Sequence, residues 1–220
     1  DRFSDVVSRP AYLAASAMLC LSPYTPMLFM GQEWAASTPF LFFTDHPPEL
    51  GRLVTNGRRE EFKAFAAFRD PATRAKIPDP QLEQTFLASK LKWGELTETN
   101  KAQTLELYRA CLALRNREPA FRPQSRDAIQ VTNLAAGIAL RLRGESGDWL
   151  LLFDLTGRAA GSLKTESIFA AHRERHWELI LSTSETRFGG DGRSGLDLEG
   201  GQAYFEKPEL IVLHERRGSD

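Results

Sequence analysis

The sequence has little of what marks a secreted, membrane-spanning or nucleic-acid-binding protein. Its 220 residues hold two cysteines, Cys20 and Cys111, too few for a disulfide framework. Both fall in apolar helical patterns and read as buried thiols, which suits a reducing, cytoplasmic setting. The four histidines are scattered. His172 and His176 have i,i+4 spacing, but no acid or cysteine follows at ligand spacing, so no metal is expected. Charge of one sign is missing as well: 28 basic against 29 acidic residues leave a net −1, with no field to attract nucleic acid or an anionic membrane. The longest strongly apolar run, from Ala11 to Leu21, is too short to cross a bilayer, and nothing at the start reads as a signal peptide. A glycine-rich phosphate cradle and a Gly-x-Ser-x-Gly elbow are both lacking. Gly189-Gly190-Asp191-Gly192 sits between expected strands and reads as a surface loop.

What is present is a core and a change of period. Hydrophobic residues make up 42% of the chain, enough to pack a globular interior. The run Thr25-Pro26-Met27-Leu28-Phe29-Met30 is apolar, opens at a proline and stops at Gly31. It reads as a strand buried on both faces of a parallel sheet, with Gln32, Glu33 and Trp34 released at its carboxyl end. Polar groups at that end of a parallel strand lie where α/β folds build ligand sites. A helix is expected over 5–21, a long aromatic connection over 31–56, a helix over 58–68 with Phe62, Phe65 and Phe68 on one face, and an irregular stretch over 70–84. A further helix is expected over 97–117, with Leu105, Tyr108, Cys111 and Leu112 forming its buried stripe. Beyond Phe121 the period falls to two. Strands are expected at 129–132, 138–143, 149–153, 178–181 and 210–213, with Gly-containing turns between several of them, as in an antiparallel β sandwich.

Several segments carry a more specific signal when read in order. After Met27 to Trp34 come Ser37-Thr38-Pro39-Phe40, Phe42-Phe43-Thr44-Asp45-His46, Pro48-Glu49-Leu50-Gly51 and Gly57-Arg58-Arg59-Glu60-Glu61-Phe62. Then follow Ile77-Pro78-Asp79-Pro80-Gln81, Thr85-Phe86 and Ser89-Lys90-Leu91-Lys92-Trp93. This ordered set resembles the maltooligosyltrehalose trehalohydrolase family of the α-amylase superfamily, closely to about Arg117 and more loosely beyond. The resemblance implies a fold of class α/β plus all-β: residues 1–117 as the last part of a (β/α)8 barrel (seventh helix, eighth strand, long loop, eighth helix) and residues 118–220 as an antiparallel β-sandwich domain. A whole barrel needs roughly 250 residues, so this chain cannot contain one. The family's aspartate nucleophile, glutamate acid/base and second aspartate would all precede Asp1, so no catalytic residue is expected in this chain. The expected partners are a maltooligosaccharide or maltooligosyltrehalose substrate and the missing amino-terminal part of the same enzyme. No cofactor is implied. A glucan-branching or amylase-type enzyme, and a non-catalytic carbohydrate-binding or structural fragment, are the alternatives.

The resemblance also gives candidate residues for the active-site wall. Glu33 either orients a catalytic carboxyl, accepts from sugar hydroxyls, or is a structural acid bonded to backbone amides. Gln32 would bond sugar hydroxyls or serve a structural role. Trp34, Phe42 and Phe43 offer flat apolar faces that suit the C–H face of glucose, although each also fits a core. Asp45 and His46 would bond sugar hydroxyls at the trehalose-recognising end, or form an Asx-turn before Pro47 and Pro48. Arg2 would brace the wall, with an exposed ion pair as the alternative.

Overall fold

A computed structural model describes residues 2–63, 65, 70, 72–73, 77–123, 125–134, 137–158, 160–162, 167–172 and 175–217. By contacts the chain forms two compact units: Asp1–Arg2 with Ala36–Glu95, and Phe3–Ala35 with Leu96–Asp220. No helix among the described residues is long and apolar enough to cross a membrane.

The smaller unit carries α3 (Pro48–Phe62) and α4 (Glu83–Ser89). The helix expected over 58–68 thus begins ten residues earlier, with Pro48 in its first turn, where a missing N–H costs nothing, and with Glu49 facing the positive helix end. This removes much of the loop expected over 31–56. Phe68 lies outside the described residues, and Phe65 is exposed.

The larger unit starts with α1 (Phe3–Val6) and α2 (Arg9–Leu21). The single helix expected over 5–21 is interrupted because Ser8 caps a new start: its hydroxyl accepts the Ala11 amide, and Pro10 fills the first turn. The next helix, α5 (Thr99–Arg117), buries Thr104, Leu107, Tyr108, Cys111, Leu114 and Arg115. Its buried face is therefore turned from the expected stripe, since Leu105 and Leu112 are only half-buried. Arg115 reaches the carbonyls of Cys20 and Ser22, tying the end of α2 to α5.

Among the described residues the strands that follow are β1 (Ile129–Asn133), β2 (Ile138–Leu142), β3 (Trp149–Asp154), β4 (Ala160–Ser162), β5 (Arg175–Ser182), β6 (Leu196–Asp197), β7 (Gln202–Tyr204) and β8 (Glu209–Arg217). They pair antiparallel as a five-stranded sheet, β1-β2-β3-β8-β5, and a three-stranded sheet, β4-β7-β6. Successive strand residues point to opposite faces, and in the central strands β2, β3 and β8 both faces are buried. Leu140, Leu142, Trp149, Leu151, Leu210 and Val212 pack with Leu13, Ala17, Cys20, Leu107 and Cys111 of the helices. Ala139, Leu150, Leu152, Ile211 and Leu213 pack with Phe169, Ala203 and Phe205. Two-sided burial explains why 149–153 and 210–213 are continuously apolar in an antiparallel sheet. One core therefore runs across the boundary expected at 117/118.

Thr25–Met30 is not a strand. A strand exists through ladder partners for its N–H and C=O groups, and no described segment pairs with this one. Met27 is 88% exposed.

Candidate functional site

Gln32, Glu33 and Trp34 belong to the larger unit, on a 3-10 turn bounded by two left-handed residues. Gly31 has φ 80°, which a glycine adopts without penalty. Ala35 has φ 55° and ψ 54°, a conformation that costs a residue with a Cβ about 1–2 kcal/mol. Neighbours over-determine the turn. Lys101 Nζ donates to the Ala35 carbonyl, and the Tyr12 hydroxyl donates to the Gln32 carbonyl. The Gln32 amide is occupied at both ends: Oε1 accepts the Phe29 N–H at 3.2 Å, and Nε2 donates to the Tyr108 hydroxyl at 2.9 Å. Tyr108 in turn donates to Ser16 Oγ at 2.9 Å. Burial pushes the Tyr108 phenol above its ordinary pKa, against the pull of these hydrogen bonds. Gln32 is therefore committed to holding the turn. Trp34 is 2% exposed and fills the interior, so it presents no open face. Glu33 is left half-buried, with its carboxylate on a turn fixed from beneath.

Arg2, Phe42, Phe43, Asp45 and His46 lie in the smaller unit. Arg2 Nε donates to the Thr38 carbonyl. Phe43 packs edge-on against Phe40 and Phe86, with centroids 5.8 and 5.2 Å apart. Phe42 is exposed, with the Arg58 guanidinium 4.8 Å from its ring centroid and 4.6 Å from that of Phe62. Asp45 is exposed, and His46 is half-buried.

What holds this segment is a residue the sequence did not single out. The Gln81 side chain accepts from the His46 N–H at 3.2 Å and the Thr44 hydroxyl at 2.6 Å, and donates to the His46 carbonyl at 2.9 Å. The Thr44 amide donates to the Pro80 carbonyl. Asp79 is braced in turn: its carboxylate accepts from the Gln81 amide and the Thr55 hydroxyl, which hold it below the usual carboxylate range. Gly51 on α3 makes room for this arrangement, because a Cβ there would stand 2.4 Å from Gln81 Nε2. The Ile77–Gln81 and Phe42–His46 motifs, separated in sequence, are thus one hydrogen-bonded structure. The Pro78-Asp79-Pro80-Gln81 stretch was the available signal.

The strand-rich part holds another titratable cluster, in which Asp148, His172 and Glu215 offer ligand atoms within 4.8 Å of one another. Guanidinium groups already compensate its charge. Arg141 Nε lies 2.7 Å from Asp148, and Arg141 and Arg175 each lie 3.7 Å from Glu215. Burial would raise the Glu215 carboxyl, but bonds from His172 and the Asp148 amide outweigh it and keep the group below its ordinary pKa. The i,i+4 histidines do not converge: His172 bonds Glu215, while His176 lies on β5 opposite Arg216. His214 is buried and stacks on Trp149 at 4.1 Å, and burial lowers its pKa. Cys20 and Cys111 are buried free thiols, and burial pushes Cys20 up to about 12. Cavities of about 530, 490 and 270 Å³ lie among the described residues of 118–209, and none of these is lined by the expected wall residues.

No family model matches the chain. Curated relatives do. The chain is 38% identical over 202 residues to malto-oligosyltrehalose trehalohydrolase of Deinococcus radiodurans, covering 92% of this chain and 31% of the relative. It is 46% identical to the Brevibacterium helvolum protein of the same name, covering 70% of this chain and 28% of that one. The chain thus spans about a third of the length of these relatives. Among solved structures, a Salmonella typhimurium protein described as a candidate alpha amylase superposes with TM-score 0.71 at 26% identity, over 97% of this chain and 32% of that one. Isomaltulose synthase SmuA from Protaminobacter rubrum superposes with TM-score 0.57 at 11% identity, over 98% of this chain and 40% of that one, a likeness of fold alone.

Proposed function

We propose, from the premise that this chain carries the sequence of malto-oligosyltrehalose trehalohydrolases over about a third of their length, that it is the carboxyl-terminal part of such an enzyme. The reaction is hydrolysis of the α-1,4 bond next to the terminal trehalose of maltooligosyltrehalose, with release of trehalose. The observation that carries this reading is the 38% identity sustained over 92% of the chain. In this reading residues 1–117 correspond to the end of a (β/α)8 barrel, and residues 118–220 to its antiparallel β sandwich.

The chemistry proposed is double displacement, in which two carboxyls about 5 Å apart flank the scissile bond and a glycosyl ester forms and is hydrolysed. Those carboxyls belong to the upstream part of the enzyme, and this chain supplies substrate contacts and support. Glu33 is proposed as one such contact because its turn is locked while its carboxylate stays half-buried. Phe42, Asp45 and the His46 imidazole are proposed as contacts on separate grounds. They lie on the segment that Gln81 fixes through backbone bonds, which leaves their side chains available. Gln32, Trp34 and Arg2 support the fold around these groups.

Product analysis tests the proposal. The chain joined to its upstream sequence should release trehalose from maltooligosyltrehalose, and the 220-residue chain alone should release none. If the joined protein yields only branched or shortened glucans, the reaction is that of a branching or amylase-type enzyme and the proposal fails.

A further inference from the structure

A cavity of about 490 Å³ is built on β6, β7 and the first residue of β8. Tyr204 is 63% exposed, although its strand neighbour Ala203 is 1% exposed. The strand's alternation buries one residue and stands the other's ring on the cavity side. Ser194 contributes a hydroxyl that is shielded from solvent yet has no protein partner among the described residues. Behind it, Glu209 is 1% exposed and held by the Ser182 hydroxyl and the Gly195 amide, the latter at 2.9 Å. Asp197 accepts the Gly200 amide at 2.8 Å. A carboxylate offers about four acceptor positions, so both acids retain capacity for further donors. Gln202 and Arg193 complete the polar rim.

We propose that this cavity binds a short neutral glucan. Its volume falls within the roughly 300–1,000 Å³ typical of small-molecule sites. Its four carboxylates against two cations disfavour any anionic ligand, phosphate and nucleic acid included. An apolar ligand would leave these groups desolvated and unmatched. A glucose ring meets both requirements: its C–H face covers an exposed phenol ring, and its hydroxyl rim donates to fixed carboxylates while accepting from Ser194, Gln202 and Arg193. The backbone supports the arrangement at Gly195, where a Cβ would stand 2.4 Å from the Tyr204 carbonyl oxygen. The choice of an α-1,4-glucan as the ligand rests on the function proposed above. The cavity itself is distinct from Glu33 and the Phe42–His46 segment, and it involves no bond-making step.

Titration of maltoheptaose into the full 220-residue chain, followed by calorimetry and by amide NMR shifts, tests the site. Saturable binding should perturb residues 191–209. Tyr204→Ala should weaken it by about tenfold, and Ser194→Ala by about threefold. Because Tyr204 is exposed, its variant should keep the parent's circular dichroism and unfolding midpoint. A neutral ligand also requires that affinity change by less than about twofold between 0.05 and 0.5 M NaCl. Absence of saturable binding, or Tyr204→Ala binding as tightly as the parent, overturns the proposal. So does saturable calcium uptake that Asp197→Asn removes while maltoheptaose stays unbound. The two readings separate cleanly. Glucan binding without trehalose release by the joined protein sinks the function and keeps the site, and the reverse result sinks the site alone.

Discussion

Gln81 bonds the backbone of His46 at both of its polar groups, accepting the N–H at 3.2 Å and donating to the C=O at 2.9 Å. One side chain thereby does for a loop what a ladder partner does for a strand. It satisfies an amide and a carbonyl and sets the direction of the side chain between them.

Gln81→Ala should therefore loosen 42–46 selectively. Loss of its three bonds should cost about 3 kcal/mol, since each net bond is worth roughly 1 kcal/mol. Hydrogen exchange at the His46 amide should accelerate while β3 and β8 stay protected. Unchanged exchange at His46 would show that the loop is held by something else. Gly51→Ala should produce the same signature by pushing Gln81 aside.

Tyr108→Phe should strand Gln32 Nε2 and Ser16 Oγ and destabilise the larger unit by about 1–3 kcal/mol. The parent should also lose stability in alkali. The Tyr108 phenol is raised above 10 in the folded state, so the folded chain holds its proton longer than the unfolded one. That contribution is complete below pH 10 and disappears as pH climbs through the folded value. Urea melts between pH 8 and 11.5 should show this slope in the parent and a shallower one in Tyr108→Phe.

Ala35→Gly should stabilise the protein by about 0.5–1 kcal/mol, because the left-handed backbone at φ 55° penalises the methyl more than glycine's added freedom costs. A loss of stability in thermal melts would mean that the Ala35 methyl makes contacts worth more than the strain.

Glu215→Gln should cost about 3 kcal/mol, since it leaves Arg141 and Arg175 facing a neutral amide in a buried setting. In the parent, the carboxyl is depressed below 4.5, so its contribution is present above pH 4.5 and fades as acid titrates it through the folded value. Acid unfolding curves should lose part of their slope in the variant, and an identical slope would assign the acid sensitivity to other groups.

Much of this architecture was legible because local pattern and tertiary packing agree. The alternation at 138–143 gave β2, the apolar runs at 149–153 and 210–213 gave the centres of β3 and β8, and α5 differs from expectation by two residues. The strands β4, β6 and β7 span two or three residues, too few to show a period. The start of α3 was hidden by Pro47-Pro48 and by Gly51, which normally break helices. Gly51 is tolerated for a reason thirty residues away, the space required by Gln81. Thr25–Met30 failed for a related cause, since apolar composition cannot create ladder partners. At the site, the residue types were readable, but not their engagement. Gln32 and Trp34 looked as available as Glu33 until Tyr108 and the interior claimed them.

The two-sided burial of β2, β3 and β8 bears on how the molecule can be cut. Leu140, Leu142, Leu151 and Val212 are roofed by residues contributed from before position 118. A polypeptide trimmed to 118–220 would present that greasy plane to water and precipitate on expression, however self-contained its strand pattern looks on paper. Any dissection meant to yield a tractable β module must carry the two roofing helices with it.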